Sequence, residues 1–486
     1  MIVKAPTLRL RALGEPAAAL LAAAAPLLPA PAWLTGGAVR DALLGRPVRD
    51  LDLALPAASL ETGRRLADQL GGAFVPLHDA PGVARVVLRR DGQEYRVDLA
   101  DFRAGGIEGD LCGRDFTVNA LAVVVAELLG GEAPILDPSG GLGDLAARRL
   151  RAASPGAFAA DPVRTLRAVR LAQELGLAVE PGTAALAGAS AHALAGAAGE
   201  RIREELFRLL ALGTGAAGLR QADAWGLLEA ILPEARPMKV TPQPLPHRFT
   251  VWEHSLRAVE AVERLLGDLG LLAPHDAALA PHLEEPLEAG VRRRELLKLA
   301  ALLHDVAKPE TRSEVEGRVR FIGHDKLGAE RARAIAGRLR LGGRATGVLA
   351  RLVGQHLRLM HLGQLEEVSR RARYRFFRDL GEEAQDLICL ALADAAAATG
   401  VEPAAVWRGP AGAFLASFLA GWEEAESAAA APPLLRGGDV MAAFGLAPGP
   451  EVGRLLAEAR EAQALGLVRS REEALAYLRA RQAGRD

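Results

Sequence analysis

The sequence predicts an α+β protein, with one N-terminal α/β domain and a long, mostly α-helical remainder. Three observations carry that reading. Runs rich in Val, Ile and Tyr are confined to about residues 70–125. From about residue 145 almost to the end, apolar residues recur with helical spacing. Ala and Leu, both good helix formers, supply much of the 50% hydrophobic content, while aromatics reach only 4%. At 486 residues the chain is too long for one hydrophobic core and divides into about three or four domains.

The apolar stretch Ala17–Ala32 is interrupted by Pro26, Pro29 and Pro31, short of the ~20 residues a membrane span needs. A buried leader helix within residues 1–30 is expected, not a signal peptide, and no membrane partner. Residues 31–145 form the α/β domain. Leu51–Leu55, Val83–Leu88 and Tyr95–Leu99 read as strands, the last two joined by an Asp91-Gly92 hairpin turn. Residues 146–235 read as helical, with Asp161–Leu175 closed by Gly176 and Glu200–Leu212 closed by Gly213. Prolines 233, 237, 242, 244 and 246 then predict a linker without helix. A second helical domain spans 247–425 and holds a charged stretch of weak signal at 265–295. A boundary at Ala429–Gly438 precedes a helical tail, 430–486. No repeat of fixed period is visible.

Lys and Arg (59) nearly cancel Asp and Glu (60), so bulk charge does not argue for a nucleic-acid partner, and any such binding must come from local basic patches. Two distant cysteines, Cys112 and Cys389, exclude a disulfide scaffold and a cysteine-cluster metal site. They suggest a cytoplasmic protein with no disulfide-linked partner.

The first chemical constellation runs Leu34-Thr35-Gly36-Gly37-Ala38-Val39-Arg40-Asp41, then Leu43-Leu44-Gly45, then Arg49-Asp50-Leu51-Asp52-Leu53. Two glycines let backbone N–H groups approach a phosphate, and the following helix turns its positive end to the same anion. Asp50 and Asp52, two apart on a strand, put both carboxylates on one face, where hard cations with oxygen ligands can sit. Two metals there would lower the pKa of an attacking hydroxyl and stabilise a leaving pyrophosphate. Asp98 occupies a neighbouring strand position suited to a third carboxylate.

Residues 34–53 resemble the signature of class II nucleotidyltransferases, the family of bacterial CCA-adding enzymes and poly(A) polymerases. Further segments match in order: Arg114-Asp115-Phe116-Thr117-Val118-Asn119-Ala120-Leu121, resembling the ribose- and triphosphate-binding motif; Asp137-Pro138, Gly140-Gly141 and Asp144-Leu145, resembling the hinge; Asp161–Arg170, resembling the base-selecting helix; and Glu200-Arg201-Ile202 with Glu204-Glu205, resembling the neck. The resemblance covers roughly residues 30–235. It implies a nucleotidyltransferase palm followed by helical neck, HD and tail domains, a magnesium-dependent reaction at Asp50 and Asp52, and the tRNA 3′ end, CTP and ATP as partners. It implies nucleotide binding by Gly36, Gly37, Arg40, Arg114, Asp115, Asn119, Asp161, Arg164, Arg167 and Arg170. Asp161 and Arg164, one helical turn apart, would share a face. A carboxylate there accepts from the exocyclic amine of C or A and a guanidinium donates to the ring, whereas G or U would leave charges unpaired. Two departures stand out. Ala160 precedes Asp161 where the family usually has Glu, and only ten residues separate Arg103 from Arg114, where full CCA-adding members carry a longer loop. A short connection resembles CC-adding relatives.

The second constellation is His254, then His304-Asp305, Lys308, His324, His356 and Asp394. Imidazole with carboxylate suits Mn, Fe, Ni, Co or Zn, with Mg tolerated. The order resembles the HD phosphohydrolase superfamily, which implies His254, His304, Asp305 and Asp394 at one metal, His324 and His356 as ligands of a second, and Lys308 as a phosphate contact. His247, His275 and His361 lack such support and read as linker or surface residues. The tail, with Arg454 and Arg460, resembles the segment that contacts the tRNA body in HD-bearing relatives. A poly(A) polymerase, an HD phosphohydrolase with a nucleotide-binding front domain and an RNA-binding scaffold are the rival readings. The family's poly(A) polymerases tend to carry a basic C-terminal extension, and the ending Ala-Gly-Arg-Asp has none.

Overall fold

A computed structural model describes residues 6–79, 82–90, 92–103, 105–245, 247–422 and 431–483. Asp91 of the hairpin turn, Pro246 of the linker, Ala429 and Ala430 of the third boundary and the final Gly484-Arg485-Asp486 lie outside the described residues. The chain divides into two compact units, Met1–Ala198 with Gln221–Ile231, and Gly199–Arg220 with Leu232–Asp486. The helical segment 146–235 is thereby shared between the two.

The first unit is built on a six-stranded sheet in the order Ala73–His78, Val83–Arg90, Gln93–Asp101, Asp50–Leu55, Trp33–Thr35, Ala122–Val124. Asp50–Leu55 runs parallel to Gln93–Asp101 and every other pairing is antiparallel. Within Asp50–Leu55 the period of two sends Leu51, Leu53 and Leu55 into the core and leaves Asp50 and Asp52 on the opposite face. The leader is part of this domain. Thr7–Arg9 pairs with Glu132–Pro134, and helix Glu15–Ala24, with Pro16 in its first turn, buries Ala17, Leu20, Leu21 and Ala24 in the core.

The helix expected from Asp161 begins three residues later, as Arg164–Leu175, and ends at Gly176 with φ +62°. Asp161 precedes Pro162, whose ring disfavours helical backbone at the residue before it, and it is extended (φ −154°, ψ 99°). Its Oδ1 accepts the Val163 N–H at 3.2 Å, so it stands at the helix entrance, not on a helical face.

In the second unit the proline-rich linker contains a helix, Ala235–Val240, which corrects the expectation of none. Pro237 falls in its first turn, where a backbone N–H has no intrahelical acceptor to lose. Helices Val251–Gly267, Arg293–Leu303, His324–Arg338, Gly343–Gln355 and Glu383–Thr399 pack into the main helical body. The weak stretch 265–295 forms a helix, Asp276–Leu283, and a two-stranded ladder, Pro286–Glu288 with Val291–Arg292. Buried Arg293 anchors its end through Asp386 at 3.0 Å and Glu382 at 2.7 Å. The tail helices Gly437–Phe444, Pro450–Ala464 and Arg471–Ala483 enclose a core of their own around Val440, Leu455, Ala462 and Leu478. Among the described residues no helix is long and apolar enough to cross a membrane.

Candidate active site and metal centre

The glycine pair meets Asp52, while Asp50, at the start of the same strand, is exposed and does not border the cavity that Asp52 lines. Strand Trp33–Thr35 turns directly into helix Gly36–Leu43, and Gly37 N–H donates to Asp52 Oδ2 at 3.1 Å. Gly36 has φ +68°, and a Cβ there would lie 2.7 Å from both Asp52 Oδ2 and Arg114 Nη1. Gly36→Ala is therefore expected to cost about 1–2 kcal/mol of stability through left-handed strain. It should also lower kcat/KM for nucleotide by about 10²-fold by displacing Asp52. Thermal melting and steady-state kinetics check both effects. Burial pushes the Asp52 carboxyl up to about 6, helped by Asp98 and Asp50 and opposed by Arg114. It is still ionised at neutral pH and able to ligate a cation. Asp98 is the strand partner of Asp52, and its carboxylate takes a two-pronged ion pair from Arg85 at 2.7 and 2.8 Å.

These groups border a cavity of about 280 Å³ whose lining includes Asp52, Asp98, Arg103, Arg114, Asn119 and Arg167. Arg114 Nη2 donates to Thr35 Oγ1 at 2.8 Å and to Asp110 at 3.2 Å. Asp115 accepts from Phe116 N–H (2.8 Å) and Asn119 Nδ2 (3.0 Å), and Arg167 pairs with its other oxygen at 3.2 Å. Burial would raise Asp115, but Arg167, Asn119 and Arg164 outweigh it and hold the carboxyl below its usual range. The Arg164 guanidinium donates to the carbonyls of Gly113 (3.3 Å), Arg114 (3.4 Å) and Ala157 (3.3 Å), and its Nε lies 3.8 Å from Asp161 Oδ2.

The second centre forms around Asp305, the common member of two groups of convergent donors. On one side His304 Nε2 lies 3.2 Å from Asp305 Oδ2, and His254 Nε2 lies 2.9 Å from Asp394 Oδ1 and 3.1 Å from His304 Nε2. On the other, His324 and His356 Nε2 lie 3.4 and 3.5 Å from Asp305 Oδ1. The Nδ1 atoms of His304, His324 and His356 bond the backbone carbonyls of Ala301, Phe321 and Val353 at 2.8, 2.6 and 2.7 Å. Donation there fixes the tautomer and turns each Nε2 lone pair inward. His324 and His356 Nε2 then face each other at 3.2 Å, an arrangement that a cation between them relieves. Burial lowers His356 despite Asp305, which favours the neutral, metal-binding imidazole. Burial would raise Asp394, but its hydrogen bond from His254 and the nearby His304 hold it well below the ordinary carboxylate range. The donor set fits divalent metal.

Residues 32–151 match the Poly A polymerase head domain family, 176–239 the probable RNA and SrmB-binding site of polymerase A, and 251–399 the HD domain family. A CC-adding tRNA nucleotidyltransferase of Thermus thermophilus is 38% identical over 469 residues, covering 94% of this chain and 95% of that one. An A-adding tRNA nucleotidyltransferase of Deinococcus radiodurans is 38% identical over 460 residues, covering 93% and 96%. The chain belongs to the tRNA nucleotidyltransferase family. The fold agrees: a solved CCA-adding enzyme in an apo form superposes with a TM-score of 0.63 at 20% identity, covering 97% of this chain and 96% of that one.

Within this tRNA nucleotidyltransferase not every expected nucleotide-binding residue borders the cavity. Arg40 is buried beneath it, donating to Asn119 Oδ1 at 2.5 Å and to Asp41 at 2.9 Å, so it orients Asn119. Asp161 and Arg170 also lie off the cavity lining, and Arg170 pairs with Glu174. Six residues past Arg164, it sits about 9 Å further along the helix axis. Asp144 is fully buried and accepts from Thr117 Oγ1 (2.7 Å), Arg149 Nε (2.7 Å) and Arg151 Nε (2.8 Å). Asp144→Ala strips these partners at once, but Arg149 and Arg151 are half-exposed, so the expected cost is about 1–2 kcal/mol in a chemical denaturation curve.

Two residues of the second centre escaped the sequence reading. His247, expected on the surface or in the linker, packs edge-on against His254 with ring centroids 4.8 Å apart. Burial and neighbouring Lys308 push it down to about 4. Gln243 Oε1 accepts from Lys308 Nζ at 2.6 Å, and Lys308 also pairs with Asp305 Oδ2 at 2.6 Å. His275 and His361 do not belong to either donor group.

Proposed function

We propose that this enzyme adds the two cytidines of the tRNA 3′ terminus from CTP and does not complete the final adenosine. The observation that carries this reading is the abrupt connection from strand Gln93–Asp101 to helix Ile107–Cys112, five residues where full CCA-adding members carry a longer loop. The Thermus relative is named CC-adding and the equally identical Deinococcus relative A-adding, so the short connection, not the similarity, carries the choice. Asp50 and Asp52 would hold Mg2+, which supplies Lewis-acid polarisation of phosphate and hydroxyl oxygens. The Gly36-Gly37 backbone and Arg114 would receive the triphosphate, and Asn119, steadied by Arg40 and Asp115, the ribose.

Arg164, held by three carbonyls, would present its guanidinium to the cytosine carbonyl and ring nitrogen while Asp161 accepts from the exocyclic amine. Arg164→Ala is expected to cut the preference for CTP over UTP by about 10²-fold or more, read from the kcat/KM ratio. The donor set around Asp305 supports a second, metal-dependent phosphoester hydrolysis, with Lys308 meeting the phosphate. A cytoplasmic location fits a tRNA substrate and two unpaired cysteines.

Labelled CTP or ATP, offered with tRNAs ending before, within and after CC, tests the proposal. Incorporation should stop after two C residues, with no AMP added. AMP transfer to tRNA ending in CC would overturn it in favour of terminal A addition, the activity that names the Deinococcus relative.

A further inference from the structure

One rung of the six-stranded sheet carries a charge pattern that the reaction as described does not use. Thr35, Asp52, Asp98 and Arg85 are successive Cα partners on neighbouring strands. Directly opposed residues share a sheet face. Arg114, bonded to Thr35 Oγ1, therefore stands at one end of two adjacent carboxylates and Arg85 at the other. The two carboxylates are held differently. Asp52 takes one hydrogen bond, from Gly37 N–H to Oδ2. Asp98 has both oxygens engaged, Oδ1 by Arg85 Nε at 2.7 Å and Oδ2 by Arg85 Nη2 at 2.8 Å, the parallel fork that guanidinium and carboxylate geometry favours.

We infer that Arg85 withholds Asp98 from the cation, so that the nucleotidyl-transfer site of this chain is a two-carboxylate site whose metal affinity Arg85 sets. The inference rests on Asp50 and Asp52 as the cation ligands. The fork takes one lone pair of each Asp98 oxygen and the guanidinium offsets the carboxylate's charge, so Asp98 is a poor ligand for a further cation while Arg85 is paired with it. Affinity for hard cations follows the number of charged ligands, so a free third carboxylate would tighten the site. It would also add negative charge where a triphosphate and an RNA 3′ end must approach. Arg85 is thus a positioning residue that acts through Asp98.

The test is Mn2+ binding, followed by electron paramagnetic resonance, on the full-length chain carrying Asp305→Ala to silence the second centre. Arg85→Ala is expected to tighten Mn2+ binding about tenfold. Arg85→Lys, which keeps the charge but loses the fork, should give a smaller gain. The gain should vanish when Asp98→Asn is added, because only a released Asp98 can supply it. No gain, or an equal gain with and without Asp98→Asn, overturns the inference, since Arg85 would then act only as a distant charge. Mn2+ binding that survives Asp50→Ala plus Asp52→Ala would overturn the ligand assignment beneath it.

Discussion

Asp52→Ala is expected to lower CMP incorporation into tRNA by at least about 10³-fold while the first unit stays folded. Its carboxylate is the one group that touches the glycine turn through Gly37 N–H, faces Arg114, and shares a rung with Asp98. The strand itself is held by Leu51, Leu53 and Leu55 on the other face, which the substitution leaves alone. Arg114 keeps Thr35 and Asp110 as partners, so no buried cation is stranded. Single-turnover incorporation of labelled CMP and a melting curve separate lost chemistry from lost structure. Unchanged incorporation would move the reaction away from this cavity.

Asp305→Ala is expected to empty the second centre of metal altogether, whereas His356→Ala should remove only part of it. The difference follows from the two faces of one carboxylate. Oδ2 serves the His254, His304 and Asp394 side, and Oδ1 serves His324 and His356. Loss of the bridge removes the carboxylate common to both donor groups and leaves His254 and His304 with Asp394 on one side and His324 with His356 on the other, too few donors to retain metal. Metal content per chain by inductively coupled plasma mass spectrometry reads this directly. CMP incorporation should be untouched by either substitution, because no residue of this centre borders the nucleotide cavity.

Much of this chemistry was legible from short-range pattern. A glycine pair entering a helix and an alternating Asp-Leu-Asp-Leu strand have one geometric meaning each, and the strand register brings them together. His304 could be placed in advance because it follows the apolar run Leu296–Leu303; His356 likewise ends helix Gly343–Gln355, whereas His254 lies near the start of its helix and His324 opens one. What stayed hidden depends on long-range register or on exceptions to local rules. Arg85 looks like any charged residue in a half-exposed strand until pairing sets it opposite Asp98. His247 lies in a proline-rich segment with no periodicity, and only the packed fold lays it on His254. Pro162 shortened a helix that apolar spacing alone had extended to Asp161, while Pro237 failed to prevent one because it occupies the first turn. Residues 265–295 gave little signal because their end is tied down by the buried charges of Arg293 and Asp386, which a search for apolar faces overlooks.

The most direct test of the nucleotidyl-transfer site is anomalous diffraction from crystals of the protein soaked with Mn2+ and CTP. A manganese peak against the Asp50 and Asp52 carboxylates is expected, with the triphosphate lying over the Gly36-Gly37 turn and cytosine beside Arg164. Clear CTP density elsewhere, with no manganese at that pair of aspartates, would contradict the account.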